Sequence, residues 1–229
     1  MLNQPIHAAH EITIVVPDGL DSIEGDNISA AANYTGPHRS VNLFLAKDFQ
    51  SLPVTHRMIT GLAFRPDMSV MEPNSSSWLD TTWIFSTNKS EELSSRISEN
   101  HGPDATIVYQ GDLLLSTNGS GPEDGPRPFE YGFKFQRPFP YNPANGNLII
   151  ENQSPLGYNP PLRDDQQTTT DVRAVANINM SDDANLPLNQ SLILQLTFAA
   201  DVNLGDFNAD GQLNLTDIDA LSSEIRNGQ

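Results

Sequence analysis

A chain of 229 residues is long enough to bury one sizeable core, or a core plus a small module. Its 29 Asp and Glu against 12 Lys and Arg leave a formal charge of -17, which repels a phosphate backbone and an anionic membrane surface and argues against nucleic acid as a partner. No apolar run approaches the roughly 20 residues of a transmembrane helix, and the absence of Cys excludes disulfides, thiolate metal sites and a thiol nucleophile.

The 17 Pro and 15 Gly, with abundant Asn and Ser and no long Ala/Leu/Glu/Lys stretch, predict short strands joined by many turns. Residues 1–10 read as a polar tail. Glu11-Ile12-Thr13-Ile14-Val15-Val16 is a β-branched strand stopped by the turn Pro17-Asp18-Gly19. Residues 18–40 have no clear period and read as a long loop with one short strand. Strand patterns follow at Val41–Leu45, Met58–Phe64 and Thr81–Thr87; Trp78 and Trp83 read as core. Leu93 and Ile97, four apart, with Ser90 as cap, predict one short helix or a pair of turns over Ser90–Glu99. Further strands are predicted at Ala105–Tyr109, Leu113–Ser116, Glu130–Phe139, Asn147–Asn152, Val172–Ile178 and Leu192–Phe198. In the Glu130–Phe139 stretch Tyr131, Phe133 and Phe135 alternate with Gly132 and Lys134, the period of a half-buried antiparallel strand.

About ten short strands leave two closed-core solutions, a sandwich or an antiparallel barrel. The long connections 117–129 and 153–170 suit crossings over the ends of two sheets, so the expected fold is all-β: a two-sheet antiparallel sandwich, jelly-roll-like, over residues 11–200. No repeat of 20 to 50 residues argues for a propeller or solenoid. Nine Asn-x-Ser/Thr triplets, among them Asn152 and Asn214, fit either N-glycosylation in a secretory pathway or an Asn- and Ser-rich β surface.

Residues 201–229 change character. From Asp206, oxygen-bearing side chains fall at loop positions 1 (Asp206), 3 (Asn208), 5 (Asp210), 9 (Asn214) and 12 (Asp217). Gly211 stands at position 6, where the chain must turn sharply, and Gln212 at position 7 offers its backbone carbonyl. A hard cation wants six to eight oxygens, and this spacing wraps the chain around Ca2+. Thr216 caps a following helix whose Ile218, Leu221 and Ile225 form one apolar stripe. Asp206, Asp210, Asp217 and Asp219 repel one another without the ion, so calcium is expected to order residues 205–228.

No helix is expected before this loop, and position 12 is Asp rather than Glu. A loop followed by one helix resembles the F-hand of type I dockerin modules over residues 204–228. The resemblance implies calcium held by Asp206, Asn208, Asp210, Gln212 and Asp217. It also implies a cohesin-like partner or self-association through Leu215 and Thr216, at loop positions 10 and 11. Such dockerins carry two F-hands; one is present here. Upstream, Val16-Pro17-Asp18-Gly19-Leu20, Ile59–Pro66, Phe85-Ser86-Thr87 and Asn142–Leu148 are similar to secreted sandwich proteins of planctomycete-type bacteria, many with dockerin-like repeats or a PEP-CTERM sorting signal. That similarity implies a secreted or cell-surface setting, where millimolar calcium saturates even a weak site.

No Gly-x-Ser-x-Gly elbow, phosphate loop or His-Glu-x-x-His occurs. The five His, at 7, 10, 38, 56 and 101, lack ligand spacing and read as surface or turn residues. The expected function is a noncatalytic surface or carbohydrate-associated binding protein. Tyr141 and Tyr158, beside Pro and Asn in predicted loops, are the candidates for stacking on a polysaccharide, with loop packing the competing role for each. Two alternatives remain open: a glycoside hydrolase, which needs only two suitably spaced carboxylates on any fold, and a structural spacer.

Overall fold

The computed structural model describes residues 11–28, 36–159 and 165–200, together with Leu215, Thr216 and Ile218. The described strands are β1 (Glu11–Val16), β2 (Asn27–Ile28), β3 (His38–Phe44), β4 (His56–Phe64), β5 (Asn74–Asn88), β6 (Thr106–Thr117) and β7 (Tyr131–Pro140). They continue with β8 (Asn147–Ser154), β9 (Tyr158–Asn159), β10 (Asp165–Thr168), β11 (Ala174–Asn177), β12 (Leu186–Leu188), β13 (Gln190–Leu192) and β14 (Leu194–Ala200). Every described pairing is antiparallel. The predicted all-β sandwich is the fold observed.

One sheet has the order β1-β14-β4-β7; the other runs β12-β11-β3-β8-β5-β6, with β9 added beside the first half of β5. A small third sheet, β13-β10-β2, closes one end. Apolar residues of the two large sheets meet in a single core that includes Leu62, Phe64, Phe85, Leu148, Ile150, Leu196 and Phe198. Aromatic rings bridge the sheets: Trp83 lies 5.3 Å from Phe133, and Phe85 lies 4.9 Å from Phe135 and 5.9 Å from Phe139. Such tilted and edge-on pairs add to the burial energy and fix the spacing of the layers. At the sandwich edge, Gln136 of β7 and Gln110 of β6 exchange two hydrogen bonds, 3.1 and 2.9 Å.

The larger sheet is buried on its outer face too. Alternate residues of β8 divide between two cores: Leu148 and Ile150 face the first, whereas Ile149 joins Val41, Leu43, Leu45, Ile97 and Val175 in a second cluster. The cover over that second cluster includes residues 90–101. Here, of the two outcomes expected for Ser90–Glu99, turns form rather than a helix. Ser90 Oγ accepts from Glu92 N, Ser94 N donates to Asn100 Oδ1, and Asn100 Nδ2 donates to the carbonyls of Ser94, Arg96 and Ile97. Local side-chain bonds of this kind outcompete a helix ladder, and only Ile97–Asn100 closes a single 3-10 turn.

Strand β5 contains the bulge that shapes the candidate site. Trp78 pairs with Leu113 and Thr81 with Gly111, so Leu79 and Asp80 stand opposite the single residue Asp112. Asp80 takes φ 53 and donates its N–H to Asp112 Oδ1 at 2.8 Å. In a regular strand residues 78 and 83 face opposite sides; the extra residue reverses that parity, and both Trp side chains are buried in the core. Asp is tolerated in the left-handed region, whereas a β-branched residue is not. Asp80→Val is therefore expected to destabilise the protein by about 1–2 kcal/mol, and Asp80→Gly to stay within about 0.5 kcal/mol of the parent, as read by urea denaturation.

Candidate functional site

The bulge places Trp78 and Trp83 in the wall of a cavity of about 200 Å³, lined by residues of the larger sheet and of β10 and β13 of the small one. Trp78 stacks on Tyr158 at 3.9 Å and 23°, and lies 5.7 Å from Trp83 at 13°. His38 meets the Tyr158 ring edge-on at 4.2 Å. Ala174, Ile178, Leu186, Leu188 and Leu192 form much of the remaining wall.

A short polar chain fixes the aromatic wall. Tyr158 OH donates to Asn152 Oδ1 at 2.6 Å, Asn152 Nδ2 donates to Thr81 Oγ1 at 2.9 Å, and Thr81 Oγ1 donates to the Gln153 carbonyl at 3.0 Å. The His38 Nδ1 sits 3.1 Å from the Gly36 carbonyl, and burial pushes its imidazole pKa down, so the ring is neutral at physiological pH. Three buried polar atoms of lining residues have no partner: Trp83 Nε1, a donor, and Gln166 Oε1 and Gln190 Oε1, both acceptors. An unmatched buried donor or acceptor costs about 1–3 kcal/mol, so a ligand that satisfies either gains that much. The described lining contains no Asp, Glu, Lys or Arg. It is suited to holding a neutral molecule rather than to acid–base chemistry.

A second polar constellation lies on the outer face of the larger sheet. Ser86 Oγ is 2.8 Å from His101 Nδ1, and His101 Nε2 bonds Glu151, which also receives Arg39 and Gln153 Nε2, the latter at 2.7 Å. Gly102 makes the approach possible, because a Cβ there would fall 1.9 Å from the Thr87 carbonyl oxygen. The order Ser–His–Glu resembles a nucleophile relay. Ser86 and Glu151 are both 0% exposed, however, so no substrate carbonyl reaches the hydroxyl. The cluster instead fastens residues 98–101 and 182 to the sheet: Arg39 Nη1 also donates to Asp182 Oδ1 at 3.1 Å, and Asp182 accepts from Ser98 N and Oγ.

The two tyrosines expected to be exposed are buried, Tyr141 to 1% and Tyr158 to 7%. Tyr158 opens β9 and pairs with Trp78 of β5, and Tyr141 follows the end of β7. Tyr141 packs edge-on against Phe49 at 4.8 Å and donates to the Gly146 carbonyl; burial pushes its phenol pKa up. The surface reading of the histidines also fails at His38, which is 6% exposed, and at His101, whose side chain is 11% exposed. Asn152, a glycosylation triplet, is 2% exposed and committed to the polar chain above. Asp206, Asn208, Asp210, Gln212, Asn214 and Asp217 lie outside the described residues, while Leu215, Thr216 and Ile218 are helical and exposed. No local sequence signal marks Gln166 or His38 as cavity residues, since both reach it through pairings with distant strands. No protein-family model matches the chain, and no curated protein matches it.

The Glu151 cluster has a defined pH signature. Burial pushes that carboxyl up, but bonds from His101, Arg39 and Gln153 outweigh it and hold the pKa below 4.5. A depressed carboxyl contributes stability that is present above its unfolded value and lost as pH falls through the folded one. The melting temperature is thus expected to fall as pH drops below 4.5, with a shallower acid limb in Glu151→Gln.

Proposed function

We propose that the protein is a noncatalytic, extracellular binding protein, a β-sandwich that encloses a small neutral ligand and carries a calcium-ordered, dockerin-like segment for attachment or assembly. The observation that carries the binding role is the cavity beside Trp78 and Trp83, which pairs an aromatic and aliphatic wall with three unpartnered polar atoms and no charged group among its described lining. Apolar cavities of this size accept benzene-sized molecules. A preferred ligand has an apolar body, an acceptor for Trp83 Nε1–H or a donor for Gln166 Oε1.

The carbohydrate association takes a narrower form than surface stacking. With Tyr141 and Tyr158 buried, a polysaccharide chain has no platform on either ring. A single sugar in the cavity is the saccharide variant of the proposal. The glycosidase alternative receives no support from the cavity, whose described lining offers no carboxylate.

Attachment rests on residues 206–217. The donor set of Asp206, Asn208, Asp210, Asn214 and Asp217 with the Gln212 carbonyl is all oxygen, which suits Ca2+ and not a soft metal. Leu215 is 77% and Ile218 57% exposed, so these apolar side chains are free to meet a cohesin-like partner or a second copy.

Phenol and cyclohexanol are expected to raise the melting temperature of the intact protein, and a disaccharide such as cellobiose to leave it unchanged. Trp83→Phe keeps an aromatic ring, smaller than the indole, and loses the N–H, and is expected to weaken phenol binding by roughly tenfold, the equivalent of about 1.4 kcal/mol. No stabilisation by any of these molecules, read by calorimetry and thermal shift, would favour the spacer alternative. For the segment, calcium is expected to increase the helical circular dichroism of the parent and to leave that of Asp206→Ala plus Asp210→Ala unchanged.

A further inference from the structure

Arg65 and Asp165 are both fully buried, and their geometry leaves negative charge unmatched. Arg65 Nε and Nη2 both donate to Asp165 Oδ2, at 2.8 and 2.6 Å, and Gly25 N donates to the same oxygen at 3.0 Å. The other guanidinium bonds go to the carbonyls of Leu20 and Ile23, at 2.8 and 2.6 Å. Asp165 Oδ1 therefore has no partner although its carboxylate is 0% exposed. Gly25 is required at this point, since a Cβ there would fall 2.3 Å from Asp165 Oδ1 and 2.2 Å from the Gln166 carbonyl oxygen.

Two more carboxylates converge on Asp165. Glu24 Oε1 accepts from Met68 N at 2.8 Å, while its Oε2 is buried without a partner. Asp67 Oδ1 accepts from Ser69 N at 2.9 Å. One oxygen from each of Glu24, Asp67 and Asp165 lies within 4.8 Å of the others. Three carboxylates against one guanidinium leave two uncompensated negative charges, the charge of one divalent cation. Burial pushes the Glu24 and Asp165 carboxyl pKa values up, and their neighbouring carboxylates add to that rise.

We infer that Glu24, Asp67 and Asp165 form a divalent-cation site in the sandwich itself, separate from the loop at 206–217, and that its ion is calcium. Calcium takes oxygens at about 2.3–2.6 Å, so three oxygens no more than 4.8 Å apart can share one ion. Magnesium demands near-ideal octahedral geometry and gives up its waters reluctantly, whereas calcium accepts an irregular all-oxygen set such as three carboxylates from separate segments. The ion gives Glu24 and Asp165, each with one unpartnered carboxylate oxygen, a further positive partner, and ties together segments far apart in sequence: the loop before β2, the turn after β4 and the first residue of β10. The residue after Asp165 on β10 is Gln166, of the cavity lining, so the ion also steadies one wall of that cavity.

The test is a calcium titration of the full chain carrying Asp206→Ala plus Asp210→Ala, which removes the loop site. Calorimetry is expected to retain one calcium site, and calcium to raise the melting temperature without adding helical signal. Adding Asp67→Asn keeps an acceptor for Ser69 N and relieves repulsion. The expected result is at least about tenfold weaker calcium binding together with an unchanged or higher melting temperature in the calcium-free state. A merely structural ion-pair cluster would show the second response without the first. No heat and no thermal shift at millimolar calcium in the loop-disabled protein would overturn the site, as would an unaltered response in the Asp67→Asn or Glu24→Gln variants. Loss of the loop's helical response in the parent would count against the attachment segment alone.

Discussion

Strand β8 has no solvent side from Asn147 to Asn152, where every residue is buried. One face packs into the sandwich and the other lies beneath residues 90–101, with Val172 and Ala184 packed against the same cluster. A sheet covered on both faces must match every polar group it carries, because an unpaired buried charge costs several kcal/mol. The outer-face cover and the Glu151 cluster follow from meeting that requirement around a central strand pair, β3 and β8.

Two buried carboxylates illustrate the requirement with opposite results. Glu151 receives donors on both oxygens, from Arg39, Gln153 and His101, and its pKa stays below the ordinary value. Asp165 concentrates three donors on one oxygen and has none on the other, with Glu24 and Asp67 close by, and burial carries its pKa upward. Both residues are fully buried and both meet an arginine. The difference lies in how the second oxygen is matched. That contrast separates a closed structural network from a site with room for a further positive charge.

The cavity arises from a defect in regular pairing. Without the extra residue at Leu79–Asp80, Trp78 and Trp83 would lie on opposite faces of β5 and the aromatic wall would not form. Trp78 stacks on both Trp83 and Tyr158, which commits its faces to other rings of the same wall. The proposed ligand would be recognised by shape and one or two hydrogen bonds.

Much of the sandwich was legible in the chain itself because period-2 alternation and Pro/Gly punctuation are local signals. The first strand, Glu11–Val16, and the Tyr131–Phe135 alternation appear where the pattern places them. The helix alternative at Ser90–Glu99 lost because its spacing of Leu93 and Ile97 is equally served by turns that lay both residues on a sheet face, and only the sheet supplies that face. Exposure of Tyr141 and Tyr158 was misjudged for a related reason: a loop composition says nothing about which surface the loop closes over. The acidic composition and the oxygen-donor spacing at 206–217 are properties of the sequence alone, since a metal loop is written in consecutive residues. The cation cluster joins residues 24, 67 and 165, and the cavity joins strands from β3 to β13. Those sites were decided only by the tertiary structure, because long-range antiparallel pairing, and not local spacing, brings their side chains within bonding distance.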